Sequence, residues 1–325
     1  MRAIQNVAYG DPGETLELIE LPEPMLSGVD DVLIEMEFAP INGNDLNVIR
    51  GHFAFKPALP SLVGNEGVGR VLAVGKNVKH LNVGDRVLPP LYSWTWRERL
   101  VVPGIGLTRL PLQVDSKQLA MLRINPPTAA LILSEYVELK TGDWVVQNMA
   151  NSGVGRSLIA IAKARGLHTL NFVRRPELIA ELMAAGADVV LLDDAEGHAQ
   201  AKSLIEPDKV RLGVDGLSGP GAARLIEHVS RKGALVSYGL MSGEMSIPVG
   251  ILDLLFKQIS VHGFFQSHPE FDALIPAALD EAAALMAAGT LKLPVVATYP
   301  LSAFADAVAH AKRGDKVLLD FQADR

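Results

Sequence analysis

A doubly wound parallel α/β domain joined to a β-rich domain is the fold class that the sequence predicts. Three observations carry it. From Asp143 to Gly263, six short apolar runs alternate with helical stretches, the pattern of a parallel sheet covered on both faces. At residues 145–155 a buried strand runs into a turn of small residues and then into an apolar helix. The first ~110 residues, by contrast, are punctuated by Gly and Pro and read as short strands and turns.

The elements follow in order. Asp31 to Phe38 alternates partly, as a half-buried strand does. Gly67 to Gly75 is an apolar, Gly-bounded strand, and Gly84 to Leu88 another after a turn. Gln118 to Glu138 is Ala- and Leu-rich and predicts a helix interrupted at Pro126-Pro127. The strands of the sheet are Trp144 to Gln147, Thr169 to Val173, Val189 to Leu192, Leu212 to Asp215, Ala234 to Tyr238 and Ile259 to Gly263. Helices are predicted over Val154 to Ala164, stopped at Gly166, and over Pro176 to Ala185, stopped at Gly186. A long helix, Phe271 to Ala288, precedes a C-terminal pair of strands and a helix. This tail is expected to return to the first domain. The predicted domains are therefore 1–117 with 267–325, and 118–266.

Composition bounds the chemistry. At 325 residues the chain fits two domains, on a scale of roughly 100–200 residues each. It has no Cys, which excludes disulfides, thiolate nucleophiles, iron–sulfur clusters and Cys-ligated zinc. The eight histidines, His52, His80, His168, His198, His228, His262, His268 and His310, show no metal-binding spacing. Asp+Glu 37 against Lys+Arg 30 gives a net charge of -7, a poor surface for nucleic acid. No apolar run approaches the ~18 residues of a membrane span. The first residues, MRAIQNVAYGDPGE, lack an apolar signal core, so a cytoplasmic location is expected.

The turn Met149-Ala150-Asn151-Ser152-Gly153-Val154-Gly155 lies where a dinucleotide pyrophosphate sits, on amides at a helix N-terminus. Ala150 and Ser152 replace the first two glycines of the usual fingerprint, so a tight turn without ligand is the alternative; the surrounding alternation favours the cofactor. The end of the second strand decides which dinucleotide. An NAD site places an acidic residue there; this chain has Arg174-Arg175. Two guanidinium groups suit a 2′-phosphate. A solvated pair is the alternative, although cations at a helix start oppose the macrodipole.

Together these segments resemble the medium-chain dehydrogenase/reductase superfamily. Within it the chain is similar to the zinc-independent NADPH-dependent 2-enoyl thioester (trans-2-enoyl-CoA/ACP) reductases, and then to quinone oxidoreductases. The matching segments are Ile41-Asn42-Gly43-Asn44-Asp45, Gly64-Asn65-Glu66-Gly67-Val68, Asn125-Pro126-Pro127-Thr128-Ala129, Gln147 to Gly155, Asn171-Phe172-Val173-Arg174, Tyr238-Gly239 and Gly263-Phe264-Phe265. The resemblance implies a Rossmann sheet inserted in a discontinuous, GroES-like catalytic domain. The zinc branch has Gly-His-Glu where this chain has Gly64-Asn65-Glu66, so no metal site is expected.

For the cofactor, NADPH, the resemblance implies contacts from Asn44, Thr128, Asn151, Ser152, Gly153, Val154, Gly155, Arg174, Arg175, Tyr238, Phe264, Phe265 and Lys316. For each aromatic, plain core packing is an equal alternative. One departure bears on catalysis. The family has a Tyr where this chain has Phe53, which cannot donate a hydrogen bond. Either His52, Asp45, Tyr92 or a water takes that role beside Phe53, or the natural substrate needs no such donor. The implied activity is hydride transfer to the β-carbon of an α,β-unsaturated carbonyl or enoyl thioester, in a dry cleft. A quinone is the alternative acceptor, and a non-catalytic NADPH-binding protein the alternative from another class. A homodimer is expected along the last strand of the sheet, where the apolar run 251–256 precedes residues 259–263.

Overall fold

The computed structural model describes residues 1–206 and 208–324. The chain divides into two compact units, one formed by residues 1–123 and 294 onward, the other by residues 124–293.

The first unit is organised by the strand Asp31–Pro40. Val32, Ile34 and Met36 alternate inward and are fully buried, as period-2 patterning requires. One edge takes Val68–Val74. The other is shared: Arg99–Pro103 pairs with its first half and Val317–Asp320 with its last three residues. Val32, Ile34 and Met36 share one core cluster with Leu100, Trp96, Val71 and Phe321. Its buried Glu37 is matched by two guanidiniums, Arg86 at 2.7 Å and Arg70 at 2.8 Å, the pairing a buried carboxylate needs. Directly after this strand comes the helix Gly43–Arg50, in a stretch that the sequence reads as strands and turns. Its first turn is set by Asp45, whose Oδ2 accepts the Asn42 N–H at 2.7 Å, one half of a capping box.

Among the described residues, the second unit holds six strands, all parallel, in the order Val189–Leu192, His168–Val173, Trp144–Gln147, Val210–Asp215, Ala234–Ser237, Ser260–Gly263. Val145, Val146, Leu170, Val214 and Leu235 are wholly buried, because helices cover both faces of a parallel sheet. Ser260–Gly263 is the terminal strand and is mostly exposed. Among the described residues no helix is long and apolar enough to cross a membrane.

Three expectations are corrected. Pro126 and Pro127 open the helix Asn125–Glu135 rather than interrupt one, since N-terminal amides of a helix lack partners anyway. The first domain boundary falls at 123/124 rather than 117/118, because the short helix Ser116–Leu119 stays against the strand Asp31–Pro40. The second falls at 293/294 rather than 266/267. The helix Ile275–Ala287 packs on Asn125–Glu135 and Gly153–Ala164, and Arg165 clamps Glu281 through Nε at 3.0 Å and Nη2 at 2.7 Å.

A buried imidazole pair ties the helices Ala195–Leu204 and Gly219–His228 together. His198 Nδ1 lies 2.7 Å from His228 Nε2, and its Nε2 lies 3.0 Å from Asp193. Arg224 also donates to Asp193, at 2.9 Å. Burial, with the neighbouring His198, Lys202 and Lys257, pushes His228 down to about 4, against the opposing pull of Glu227. The unfolded chain would take up that proton near pH 6.5. The folded unit therefore loses stability as pH falls below about 6.5, and the loss is complete near pH 4. The expected outcome is a melting temperature that drops over this interval, with a shallower drop in His228→Gln, measured by calorimetry across pH.

Candidate functional site

The cofactor turn is shaped by backbone geometry. Met149 takes φ +49°, bending the chain after the strand Trp144–Gln147. Ser152 then caps the helix Gly153–Ala164, its Oγ accepting the Gly155 N–H at 3.1 Å. A Cβ on Gly155 would sit 2.6 Å from the Ala150 carbonyl oxygen, so only glycine lets helix and strand approach this closely. The turn presents the leading amides of a 12-residue helix, a surface suited to a pyrophosphate. Gln147 braces it from below, donating to the Gly155 carbonyl at 3.0 Å and to Asn171 at 2.7 Å.

The surroundings of the turn contain unspent polar capacity. Asn125 is 9% exposed and its Nδ2 has no hydrogen-bond partner among the described residues; its side chain lies against Gly153. Tyr238 buries its hydroxyl, which pushes the phenol up to about 12 despite the Ser152 hydroxyl beside it. It remains a neutral donor at any working pH. An orphaned amide and a protonated phenol beside a helix N-terminus fit a phosphate- and ribose-bearing ligand.

The remaining predicted residues of this unit divide. Asn151, Ser152, Gly153, Val154 and Gly155 all lie on the turn or the first turn of its helix. Arg174 and Arg175 are exposed at the end of the strand His168–Val173, Arg175 with Glu177 at 3.7 Å. Thr128 is buried and its hydroxyl donates to the Ile124 carbonyl at 2.8 Å, leaving it only acceptor capacity. Phe264 is buried against Phe271, with ring centroids 5.0 Å apart, and packs as core. Phe265 is half-buried beside His268.

The first unit carries a buried polar cluster. Asp45, 2% exposed, accepts the backbone N–H of Asn42 at 2.7 Å and of Asn65 at 2.9 Å. Asn42 Nδ2 donates to Glu66 at 2.7 Å, and Lys316 Nζ donates to Asn42 Oδ1. Lys316, predicted at the cofactor, thus lies in this network within the first unit. Burial holds its ammonium below the usual range, although Glu66 and Asp45 pull the other way. Asn44 is half-buried with an unpartnered Oδ1, next to Asp45 on the same helix.

Beside the cluster is an aromatic set. Phe55 stacks edge-on with Tyr92 at 4.8 Å and with Phe53 at 5.2 Å, and Trp94 lies 6.4 Å from Phe55. Tyr92, with φ +61°, donates its N–H to the Asn65 carbonyl at 3.2 Å. Of the four residues predicted to be catalytic, Phe53 and Tyr92 share this set, Asp45 lies beneath Asn65, and His52 is exposed after the helix end at Gly51. Asn42, Asn65, Glu66 and Asn125 were not singled out as site residues, although all four lie inside the matching motifs. Unpartnered or paired amides deep in a fold leave no trace in periodicity. Among the described residues no group of three or more His, Cys, Asp or Glu is placed to hold a metal ion.

Asp45 is the group whose titration can be followed. Burial raises it to about 7, against two amide donors and Lys316. The carboxyl carbon of Asp45, observed by NMR in labelled protein, is expected to titrate with a midpoint near 7; a midpoint in the ordinary range near 4 would contradict the burial argument.

Two family models match the chain: the alcohol dehydrogenase GroES-like domain over residues 28–100 and the zinc-binding dehydrogenase model over residues 153–283. The human mitochondrial enoyl-[acyl-carrier-protein] reductase is 34% identical over 95% of this chain and 84% of its own length. The Candida tropicalis enoyl thioester reductase Etr1p, solved with NADP and crotonyl-CoA, superposes with a TM-score of 0.88 at 25% identity, covering 98% of this chain and 99% of that one. A quinone oxidoreductase from Pseudomonas syringae gives 0.84 at 27% identity, again over 98% and 99%. With this likeness running through both units, the chain belongs to the medium-chain dehydrogenase/reductase superfamily, in the family of the mitochondrial enoyl-[acyl-carrier-protein] reductases.

Proposed function

We propose that this chain is an NADPH-dependent, metal-free reductase of the C=C bond in α,β-unsaturated carbonyl compounds, enoyl thioesters included. The observation that carries it is the full-length kinship with enoyl reductases, joined to a cofactor turn with an orphaned amide and a buried phenol. NADPH supplies the hydride. The protein's own groups do the rest. The helix Gly153–Ala164 presents amides to the pyrophosphate, and Arg174 with Arg175 receives the 2′-phosphate. Within the first unit, the buried polar cluster around Asp45 and the half-buried ring set place fixed polar groups beside apolar surface. Preorganised donors of that kind stabilise charge that develops on a carbonyl oxygen.

A quinone is a second conjugated electrophile. It is favoured by the likeness to the Pseudomonas syringae quinone oxidoreductase and by Phe53, which supplies no hydroxyl. The four clustered rings suit a planar acceptor as well as an enone.

The second unit also supports self-association. Leu255 is 62% and Phe256 72% exposed beside the terminal strand Ser260–Gly263. A second copy that adds its own terminal strand would extend the sheet and cover both.

Two outcomes test these readings. NADPH oxidation is expected with enones or enoyl thioesters, with quinones as the comparison panel. A charge-assisted hydrogen bond of about 1.5–3 kcal/mol corresponds to roughly 10- to 100-fold preference for NADPH over NADH. Arg174→Ala combined with Arg175→Ala should remove most of that preference while leaving NADH use intact; equal affinity for both cofactors in the unmodified protein overturns the assignment. Light scattering at micromolar concentration should return a dimer mass, and Val261→Lys on the edge strand should shift it towards the monomer.

A further inference from the structure

We propose that the Asn65 carboxamide is the hydrogen-bond donor to the carbonyl oxygen of the substrate, the role left open by Phe53. This rests on the carbonyl-reducing reading above and names the group that serves it.

Asn65 is 1% exposed, yet neither its Nδ2 nor its Oδ1 has a hydrogen-bond partner among the described residues. Buried amides are almost always matched, and one that is not needs a reason. The neighbours show that matching was within reach. Asn42 spends both ends of its own amide on Glu66 and Lys316, and Asp45 takes two backbone donors. Asn65 alone in this network keeps both a donor and an acceptor unspent; the nearby Asn44 keeps one acceptor.

The backbone that carries this side chain is held in place. Asn65 N–H donates to Asp45 at 2.9 Å, and its carbonyl accepts from Tyr92 at 3.2 Å. The residue before it, Gly64, takes φ +99° and is crowded by Trp96, and its carbonyl accepts the Thr95 N–H at 2.9 Å. Clamped on both sides, the backbone fixes the point from which the amide extends. A buried amide without partners costs stability, so its presence here calls for a reason other than packing.

The segment leads to the ring set. Tyr92, bonded to the Asn65 carbonyl, packs on Phe53 and Phe55, and Tyr92 and Trp94 are both held at positive φ. These four rings are only half-buried. On this proposal the Tyr92 segment must yield to admit a substrate carbonyl to Nδ2, with the half-buried rings around the contact. The reaction needs a donor at that oxygen. As the β-carbon gains hydride from NADPH, the C=C π bond breaks and its electron pair passes through the α-carbon to the carbonyl oxygen. The α-carbon then takes a proton from water, and the carbonyl is restored. The Nδ2–H bond strengthens when the oxygen carries charge, so it acts on turnover more than on ground-state binding.

The test is made in the full chain with two substitutions. Asn65→Leu removes both polar atoms, and Asn65→Ala removes them without adding bulk. Folding and NADPH affinity are measured first, by melting temperature and fluorescence titration, and reduction of an enone and an enoyl thioester second. The expected result is an Asn65→Leu protein that still folds, binds NADPH unchanged, and loses about 10²- to 10³-fold in kcat. Asn65→Ala should lose as much and serves as the reporter if Asn65→Leu misfolds. Undiminished kcat in either folded variant overturns the inference alone. A loss that lies entirely in NADPH affinity does so too. An unmodified protein inert towards every conjugated carbonyl overturns the functional reading, and this inference with it.

Discussion

The first unit's site depends on one carboxylate. Asp45 accepts backbone N–H groups from two separate segments, Asn42 at the start of its own helix and Asn65, twenty residues beyond Asp45. Through the first it starts the helix Gly43–Arg50; through the second it holds the segment that carries Asn65 and Glu66. Glu66 then fixes Asn42, and Asn42 fixes Lys316 near the other end of the chain. Putting a carboxylate where water cannot reach it is unfavourable, and its raised pKa shows that the two amides and one ammonium only partly offset the cost. Such a group persists because its removal would leave two backbone amides without acceptors.

The second unit solves the opposite problem. Its sheet is apolar, yet every strand must end in a loop whose backbone needs partners. The polar side chains are therefore gathered at one end. Asp215, fully buried, accepts from Asn148, Leu217, Ser218 and Ser237, and Asn148 in turn accepts the Gly216 N–H. With Gln147 and Asn171 bonded next to them, the loops following three adjacent strands are cross-linked before any ligand arrives. A turn fixed in this way loses little conformational entropy on binding a dinucleotide.

Much of this was legible in the amino-acid order. The parallel sheet was readable because buried strands such as Trp144–Gln147 and Val189–Leu192 are short apolar runs between glycines and helices. The turn at Ser152 and the arginines at 174 and 175 were readable because their chemistry is local. The helix Gly43–Arg50 was hidden because its pattern is only eight residues long and lies among Gly and Asn. The second domain boundary falls elsewhere because nothing in the Ala-rich run 282–284 says which neighbour the helix will choose; its buried Ile275, Leu279 and Met286 pack on helices more than 100 residues away. The polar cluster was the least legible. Asn42, Asn65, Glu66 and Lys316 meet only through tertiary structure, and a buried orphan amide is indistinguishable in sequence from a surface one.

The path of the strand Asp31–Pro40 also orders events during synthesis. Its second half waits for Val317–Asp320 to complete the edge, a closure across nearly the whole chain, and such long-range pairing is slow and costly in loop entropy. The second unit, by contrast, is one continuous stretch from Ile124 to Leu293. It can mature on the ribosome while the first unit still has an open edge ending at Phe38, Ala39 and Pro40. That open edge, rather than the finished Rossmann sheet, is where a nascent chain would need a chaperone and where a slowed translation of the last thirty residues would favour misassembly.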